Sequence, residues 1–539
     1  MMALSPGRWC LLSIGWLAGV VAVAVATLGD YGITWDEEYY KEYGVVLLNW
    51  YTSLGRDQEA LSKWGLNYYG GFFDLLAQIA VRFSSAGVYE TRHAVSLVFG
   101  LVGLAATYGI GWRLGGHRAG FFSLVALTLT PVYYFFMFSN AKDTPFAAMF
   151  ALSLFFMLCS LRSMPKPWWR LVLAIGVSAG LAMAVRVAGV VLLGYVALLW
   201  SGWLLFRLRS RALGSGRDLL RSVAGIGVRL LSVAAVAWGT MVAFWPWAQV
   251  SPLLHPIQAL RQTTNYDWPL TVLFDGRYIK ASQLPPTYIP TWLGISMPEF
   301  YLLSLGVGIL LAAGCVRRMV KGHGDPDAAL GIGLLVLVVV VPIAAHAILR
   351  STIYDGLRQF LFVLPAIAAL AGCSVSAFLR PGLSTAPRLI VALLMAGSAG
   401  LTVVDMAELH PYQYVYFNRL IAGGVESAST RFETDYYGAS YREGVRWLAE
   451  NYHHRGKGKV RVANPSMNFL TAYYLESHPD LRSRFHPVRP WDNPNIYMST
   501  TRWNQHKEKP GRVLHVVTRK GVRLLYVVEV TPPGEPDLA

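Results

Sequence analysis

Charge is scarce in this chain. Asp, Glu, Lys and Arg make up only 14% of its 539 residues, whereas a soluble domain carries about 25%. With 54% hydrophobic residues and a mean hydropathy of +0.40, that shortage excludes a soluble globule. Acids are scarcer than bases: 31 Asp and Glu against 47 Lys and Arg leave a net charge of +16. The excess could suggest nucleic acid. Most of the cations, however, sit in short loops between apolar runs, where the positive-inside rule puts them, so no nucleic-acid partner is expected. The four cysteines, Cys10, Cys159, Cys315 and Cys373, each lie in or beside an apolar run. They lack metal-ligand spacing and a disulfide arrangement, and read as small apolar residues. The twelve histidines show no metal-binding spacing. No glycine-rich phosphate loop precedes a helix, so nucleotide binding has no support. There is no internal repeat and no low-complexity tract.

Long apolar runs are what the sequence does have, and about 18 apolar residues suffice to span a bilayer. Spans are expected near 10–28, 93–112, 119–138, 145–161, 171–186, 188–206, 230–247, 298–316, 328–349, 360–379 and 389–404. The run that begins at Cys10 exceeds the usual signal-peptide core of about 7–15 residues, so an uncleaved first span is expected. The stretch 171–206 is broken by Gly180, Arg186 and Gly189. It is split in two, because reading it as one span would invert every later loop.

Loop charges support the split. Short loops on one side carry Arg8, Arg113, Arg118, Arg162, Lys166, Arg170, Arg207, Arg209, Arg211, Arg217, Arg221, Arg229, Arg317, Arg318, Lys321, Arg380 and Arg388. The other side has only Lys142, Arg186, Arg350 and Arg358. This asymmetry makes the first side cytoplasmic, with the N-terminus inside and the C-terminus outside. The expected fold class is therefore a polytopic α-helical membrane protein of about eleven transmembrane helices with a small α/β C-terminal domain outside the membrane. Residues 1–404 form the membrane domain, with large outer loops at 29–92 and 250–297. The first loop holds weakly amphipathic helical stretches at 43–54 and 72–83, suited to the interface. Residues 405–539 form the outer domain, with a helix at 440–451 and strands at 460–463, 513–517 and 524–530.

An ionisable residue at membrane depth is costly and marks a site. Asp36 and Glu37 follow the first span by about eight residues, between aromatic side chains. Such a pair suits a general base; a solvated acidic loop is the alternative. Asp143 lies in a very short loop between spans three and four, as a site residue or as a helix cap before Pro145. Arg92, beside His93, opens span two. Arg186 stands where spans five and six meet, and Arg358 opens span ten. With Lys142 they suit a lipid phosphate, which Arg binds bidentately; snorkelling to headgroups is the alternative. Asp325-Pro-Asp327 matches the two-aspartate motif of metal-dependent nucleotide-sugar enzymes. It falls on the cytoplasmic side and reads as a solvated loop.

This arrangement resembles the GT-C membrane glycosyltransferases, in the branch with the protein O-mannosyltransferases and the lipid A aminoarabinose transferases. Asp36-Glu37 matches an acidic pair in the first outer loop. Arg92-His-Ala-Val-Ser-Leu-Val-Phe-Gly100 matches an Arg-led start of span two. Asn140-Ala-Lys-Asp143 resembles the acidic site of the second outer loop, and Tyr354-Asp-Gly-Leu-Arg358 an outer-face segment of bacterial members. The likeness covers roughly residues 1–420. One departure is Asn67-Tyr-Tyr-Gly-Gly71, where the aminoarabinose transferases have Lys-Pro-Pro.

The resemblance implies inverting transfer of a sugar from a polyprenyl-phosphate donor to a hydroxyl on a glycan, lipid or protein acceptor, at a cell membrane of bacterial inner-membrane type. Asp36 would be the base, and Glu37 and Asp143 would orient the acceptor or assist. Arg92 would be first choice for the donor phosphate, with Arg186, Arg358 and Lys142 in reserve. No cofactor is expected; a divalent ion on Asp36, Glu37 and Asp143 is the less favoured option. Physics agrees on the donor. Nucleotide sugars are cytoplasmic, so an outer-face enzyme needs a membrane-borne donor, and cations must stabilise the departing phosphate. A transporter or lipid flippase would instead use midplane charges and repeats. A non-catalytic envelope scaffold would not depend on Asp36.

Overall fold

In the computed structural model, residues 5–210, 216–264, 268–306, 308, 325–379, 385–454 and 458–531 are described. Eight helices among them are long and apolar enough to cross a membrane: Pro6–Asp30, Val88–Thr128, Asp143–Ser163, Val187–Arg209, Gly216–Ala243, Pro326–Leu349, Arg358–Phe378 and Arg388–Glu408. Trp169–Met183 is a shorter apolar helix. The polytopic helical class holds, while the count of about eleven is not confirmed. The second half of the span expected at 298–316 lies outside the described residues, apart from residue 308, as do Arg211, Cys315, Arg317, Arg318, Lys321 and Arg380. Cys10 and Cys159 are free thiols.

The spans expected at 93–112 and 119–138 are continuous in helical register except at two points. Gly116 takes φ +80°, ψ 179°, a conformation open to glycine, and two helices meet there. Thr130 is extended before Pro131, which starts the short helix Pro131–Ser139 because proline lacks the donor a continuing helix needs. The stretch 171–206 is indeed divided. Arg186 is extended (φ −137°, ψ 123°) between Trp169–Met183 and Val191–Arg209. Helix Gly216–Ala243 begins well before the span expected at 230–247. Arg217, Arg221 and Arg229, expected in a loop, are helical, since no proline interrupts the run. Helix Val88–Thr128 packs closely on Leu364–Phe378: a Cβ on Gly372 would stand 2.4 Å from the backbone nitrogen of Ser123. Small residues permit such approach between membrane helices.

Asp325 is not simply solvated. It caps helix Pro326–Leu349 by accepting from the backbone N–H of Asp327 at 3.0 Å, in a cleft shared with Arg113 and Arg162. Arg113 lies twenty-one residues along its helix from Arg92, about 31 Å at 1.5 Å per residue. The aspartate pair is thus at the opposite end of the bundle from Arg92.

The long segment 29–92 folds into helices Glu37–Thr52 and Phe72–Phe83. The segment 250–297 carries the hairpin Thr271–Phe274 with Arg277–Lys280, and helix Tyr288–Ser296. The tail contains a five-stranded mixed sheet. Its spatial order is Phe485–Val488, Val460–Ala463, Ile496–Thr500, Val522–Val530, Gly511–Arg519. The first two pairings are parallel and the last two antiparallel. Helix Tyr441–Asn451 covers one face, where a Cβ on Gly444 would meet Met498 and Leu525. Between the last span and this sheet, the chain from Leu409 to Tyr441 lies over the bundle end and buries Tyr412, Tyr414, Tyr436 and Tyr437. The Trp35 N–H donates to the Tyr437 carbonyl, and the Ile33 N–H to the Tyr474 hydroxyl.

Candidate active site at one end of the bundle

Six of the seven singled-out residues form three groups at one end of the bundle, and Glu37 stands apart from them. Asp36 precedes helix Glu37–Thr52 as its N-cap residue, yet its side chain makes no capping bond. Its Oδ2 instead accepts from Arg358 Nη1 at 2.5 Å and from the Tyr437 hydroxyl at 3.2 Å. The Asp36 side chain keeps 19% of its surface open. Arg358 also faces Asp355 at 3.3 Å. Asp355, at φ +60° before Gly356, accepts from Arg502 Nη2 at 2.5 Å, and Arg502 Nε lies 3.3 Å from Glu433. A chain of alternating charges thus runs from Asp36 to Glu433.

Asp143 opens helix Asp143–Ser160. Its backbone N–H is capped by Asn140 Oδ1 at 2.6 Å, so Asn140 takes the capping role anticipated for Asp143. The Asp143 carboxylate accepts from Asn140 Nδ2 at 3.0 Å and from Arg186 Nη2 at 2.6 Å. In the third group, Arg92 Nη2 and Lys142 Nζ each lie 2.6 Å from one carboxylate oxygen of Asp74. All three side chains are buried. The Lys142 ammonium also stands over the rings of Tyr40, Tyr43 and Tyr69. Arg186 faces the same Tyr69 ring, which connects the second and third groups.

Asp36 and its neighbour Glu37 point apart. Glu37 Oε2 accepts from Thr34 N–H at 2.7 Å and from its hydroxyl at 2.9 Å, while Oε1 lies 2.8 Å from His93 Nε2. Asp36, Glu37 and Asp143 therefore face three different partners and do not converge on one point. Among the described residues, no three His, Cys, Asp or Glu side chains group as a metal-holding set. The cations differ in access. The Arg186 side chain is 23% exposed, whereas Arg92, Lys142 and Arg358 are nearly closed off.

Tyr40 and Tyr437 line the space between the charged groups. Burial pushes the Tyr40 hydroxyl well above its ordinary pKa, and the nearby Asp36 charge adds to it. Tyr437 is raised likewise by burial and then by Asp36, with Arg358 opposing. Both remain neutral hydrogen-bonding groups at physiological pH.

Glu433 is a different case. Burial pushes its carboxyl up to about 7; Arg502 pulls it back and Asp355 pushes it further. Tyr278, Tyr288 and Tyr436 feel its charge. A glutamate raised from 4.5 to about 7 in the folded protein holds a proton that the unfolded chain has released. Stability then falls as pH rises from about 4.5 to about 7. Replacing it by a neutral isostere removes that penalty. Glu433→Gln is expected to raise the melting temperature relative to the parent more at pH 8 than at pH 5. Thermal unfolding of both proteins at the two pH values checks this; an equal difference at both would show that Glu433 is charged throughout.

Several of these residues escape sequence inspection. Asp74 had a signal, a lone acid in the apolar run Phe72-Phe73-Asp74-Leu75-Leu76. Asp355 lies within the segment 354–358 already noted. Tyr437, Glu433 and Arg502 had none, because their partners lie 66 to 401 residues away in the chain.

Fold and site together define an integral membrane protein with a set of buried, paired ionisable side chains at one end of a helical bundle, beneath a small mixed-sheet region. Residues 79–244 match the family described as dolichyl-phosphate-mannose-protein mannosyltransferase. This match bears out the resemblance to GT-C membrane glycosyltransferases. Among solved structures, the chain is similar to ArnT from Cupriavidus metallidurans bound to undecaprenyl phosphate. Identity is 15% and the TM-score 0.47, over 95% of this chain and 98% of that one. It is also similar to the Archaeoglobus fulgidus oligosaccharyltransferase in the apo form, at 12% identity and a TM-score of 0.45, over 88% of this chain and 65% of that one. AglB from the same organism, in complex with an inhibitory peptide and a dolichol-phosphate, is 12% identical with a TM-score of 0.45, over 90% and 69%. No curated protein matches the sequence.

Proposed function

We propose that this chain is a membrane glycosyltransferase that moves a sugar, with inversion, from a polyprenyl-phosphate donor to an acceptor hydroxyl on the outer face. The observation that carries the reading is the pairing of a partly open acid with a partly open cation. Asp36 and Arg186 both lie near enough to the half-buried Tyr40 for their charges to act on its hydroxyl, at the bundle end that holds the outer loops. The acceptor oxygen attacks the anomeric carbon as the bond to the donor phosphate breaks. The bonding pair leaves with the phosphate, and the acceptor proton passes to Asp36, a general-base role. Arg358 holds Asp36 in place and, with Arg186, offers positive charge to the leaving phosphate. Arg92 and Lys142, which the sequence pattern also nominates, are held inside by Asp74, so Arg186 takes first place for phosphate. Glu37 orients the loop through Thr34 and His93, and Asp143 orients Arg186. With two guanidiniums supplying the charge, the reaction needs no metal.

The test is purified enzyme assayed with a polyprenyl-phosphate sugar and, separately, with nucleotide sugars, each with and without a chelator. Transfer is expected from the lipid donor alone and is expected to survive chelation. A planar guanidinium grips two phosphate oxygens and an ammonium does not. Arg186→Lys therefore keeps the charge and lowers kcat/KM for the donor by roughly ten- to a hundredfold, the worth of a charge-assisted hydrogen bond. Use of a nucleotide sugar as donor would overturn the outer-face mechanism, and unchanged donor kinetics in the Lys variant would move the phosphate elsewhere.

The orientation belongs to the same proposal: the site end and the tail face outward, at a membrane of bacterial inner-membrane type. Loop charge is its support. A reporter that works only outside the cytoplasm, fused after Pro533, is expected to be active. Activity of a cytoplasm-only reporter at that position would invert the topology and with it the site.

A further inference from the structure

The charge chain that starts at Asp36 ends in a second cavity. It has a volume of 370 Å3 and lies between the hairpin 271–280 of the second outer loop and the tail. That size falls in the range of small-molecule sites. Glu433, only 5% exposed, lines it. Glu433 is approached by the Leu273 backbone N–H and by Arg502 Nε at 3.3 Å, but neither approach has good hydrogen-bond geometry, so both carboxylate oxygens and Arg502 Nε keep bonding capacity to spare. The other Arg502 nitrogens are committed, Nη2 to Asp355 and Nη1 to the Tyr436 carbonyl. Buried polar groups ordinarily find partners, and those that do not call for an explanation. An acceptor and a donor left short of partners on the wall of a cavity are explained by a ligand that supplies both.

We infer that this cavity binds a short, uncharged saccharide, the glycan portion of the acceptor; the acceptor role rests on the glycosyltransferase reading above. The chemistry of the walls selects this class. Glu433 takes hydroxyl hydrogens, and Arg502 Nε and the Asn504 amide can donate to hydroxyl oxygens. Tyr278 and Trp503 add aromatic side chains to the lining, against which the C–H groups of a sugar can pack. An anion would meet the Glu433 carboxylate, a cation would meet Arg502, and an apolar ligand would leave both unsatisfied at a cost. Asp435, which also lines the cavity, is occupied by the Tyr414 and Ser440 hydroxyls and the Gly438 N–H. The cavity is close to the candidate base. Trp503 packs against Trp35 at 5.9 Å between ring centroids, and Arg502 stands over the same Trp35. Trp35 directly precedes Asp36.

The experiment measures binding, not turnover, so it is independent of the reaction. The full chain in sugar-free lipid nanodiscs is immobilised and exposed to the pool of glycans released from the source cell envelope. Retained glycans are eluted and quantified. The parent protein is expected to retain a subset, and so is Asp36→Asn. At pH 8, where Glu433 is mostly charged, Glu433→Gln is expected to retain about ten- to a hundredfold less, the worth of hydrogen bonds to a charged group. Tyr278→Ala, at an exposed position of the hairpin, is expected to weaken retention while the protein still folds. If the parent retains no glycan, the saccharide site is wrong while lipid-donor transfer can still stand. If Glu433→Gln and Tyr278→Ala both retain as much as the parent, the glycan sits elsewhere. If binding holds but no sugar is ever transferred, the site stands and the glycosyltransferase reading falls.

Discussion

Asp36→Asn is expected to reach the membrane in normal amount and to transfer almost no sugar. The substitution keeps the shape of the side chain and its place before helix Glu37–Thr52, and removes only the ability to take a proton. A positioned general base contributes about 10²–10⁴ in rate. The structural cost is small for two reasons. The side chain is partly open to solvent, and Arg358 retains Asp355 as a counter-charge at 3.3 Å. Single-turnover transfer with the purified variant and a polyprenyl-phosphate sugar is the measurement. Loss of turnover with intact donor binding identifies the base. Near-parental transfer would exclude it, and would bring back the scaffold and transporter readings, neither of which depends on Asp36.

Asp74→Ala should fail differently, by loss of folded protein. Asp74 is fully buried and is the shared counter-charge of Arg92 and Lys142, each at 2.6 Å. Its removal leaves two buried cations facing each other. Breaking a buried ion pair by deleting one partner costs about 3–5 kcal/mol, a large part of the 5–15 kcal/mol that keeps a typical protein folded. Lys142 can relieve part of that by losing its proton; Arg92 cannot, because a guanidinium stays charged. The expected result is a marked drop in membrane-inserted, folded protein and a lower unfolding temperature, with the surviving folded fraction retaining donor use. A variant that folds normally but has lost donor binding would instead make the Asp74 group part of the phosphate site.

The two expectations separate what was legible in the chain from what was not. Apolar runs report membrane spans directly, since length and hydropathy are local properties, and the scarcity of charge makes each exception conspicuous. Asp36, Arg92, Asp143, Arg186 and Arg358 stood out for that reason. The break at Arg186 was legible too, from Gly180 and Gly189 around a charge. Less legible were helix ends. Arg217, Arg221 and Arg229 look like loop residues by charge, yet nothing in the backbone chemistry stops a helix there.

Pairing was decided only by the fold. A sequence states that Arg92 is a cation near the membrane surface, but not that a buried carboxylate eighteen residues earlier turns it inward. It likewise cannot show that Arg186, and not Arg92, keeps an open face. The physical reason is that span and sidedness follow from the transfer energy of each segment by itself, whereas a charge in a low-dielectric interior depends on whichever partner lies within a few ångströms. Those partners come from anywhere in the chain. Tyr437 reaches Asp36 across 401 residues, and Arg502 reaches Asp355 across 147. The sequence by itself determined a multi-span membrane protein with ionisable residues near one face. Tertiary structure decided which of them are locked together, which remain open, and that the tail helps to build the site.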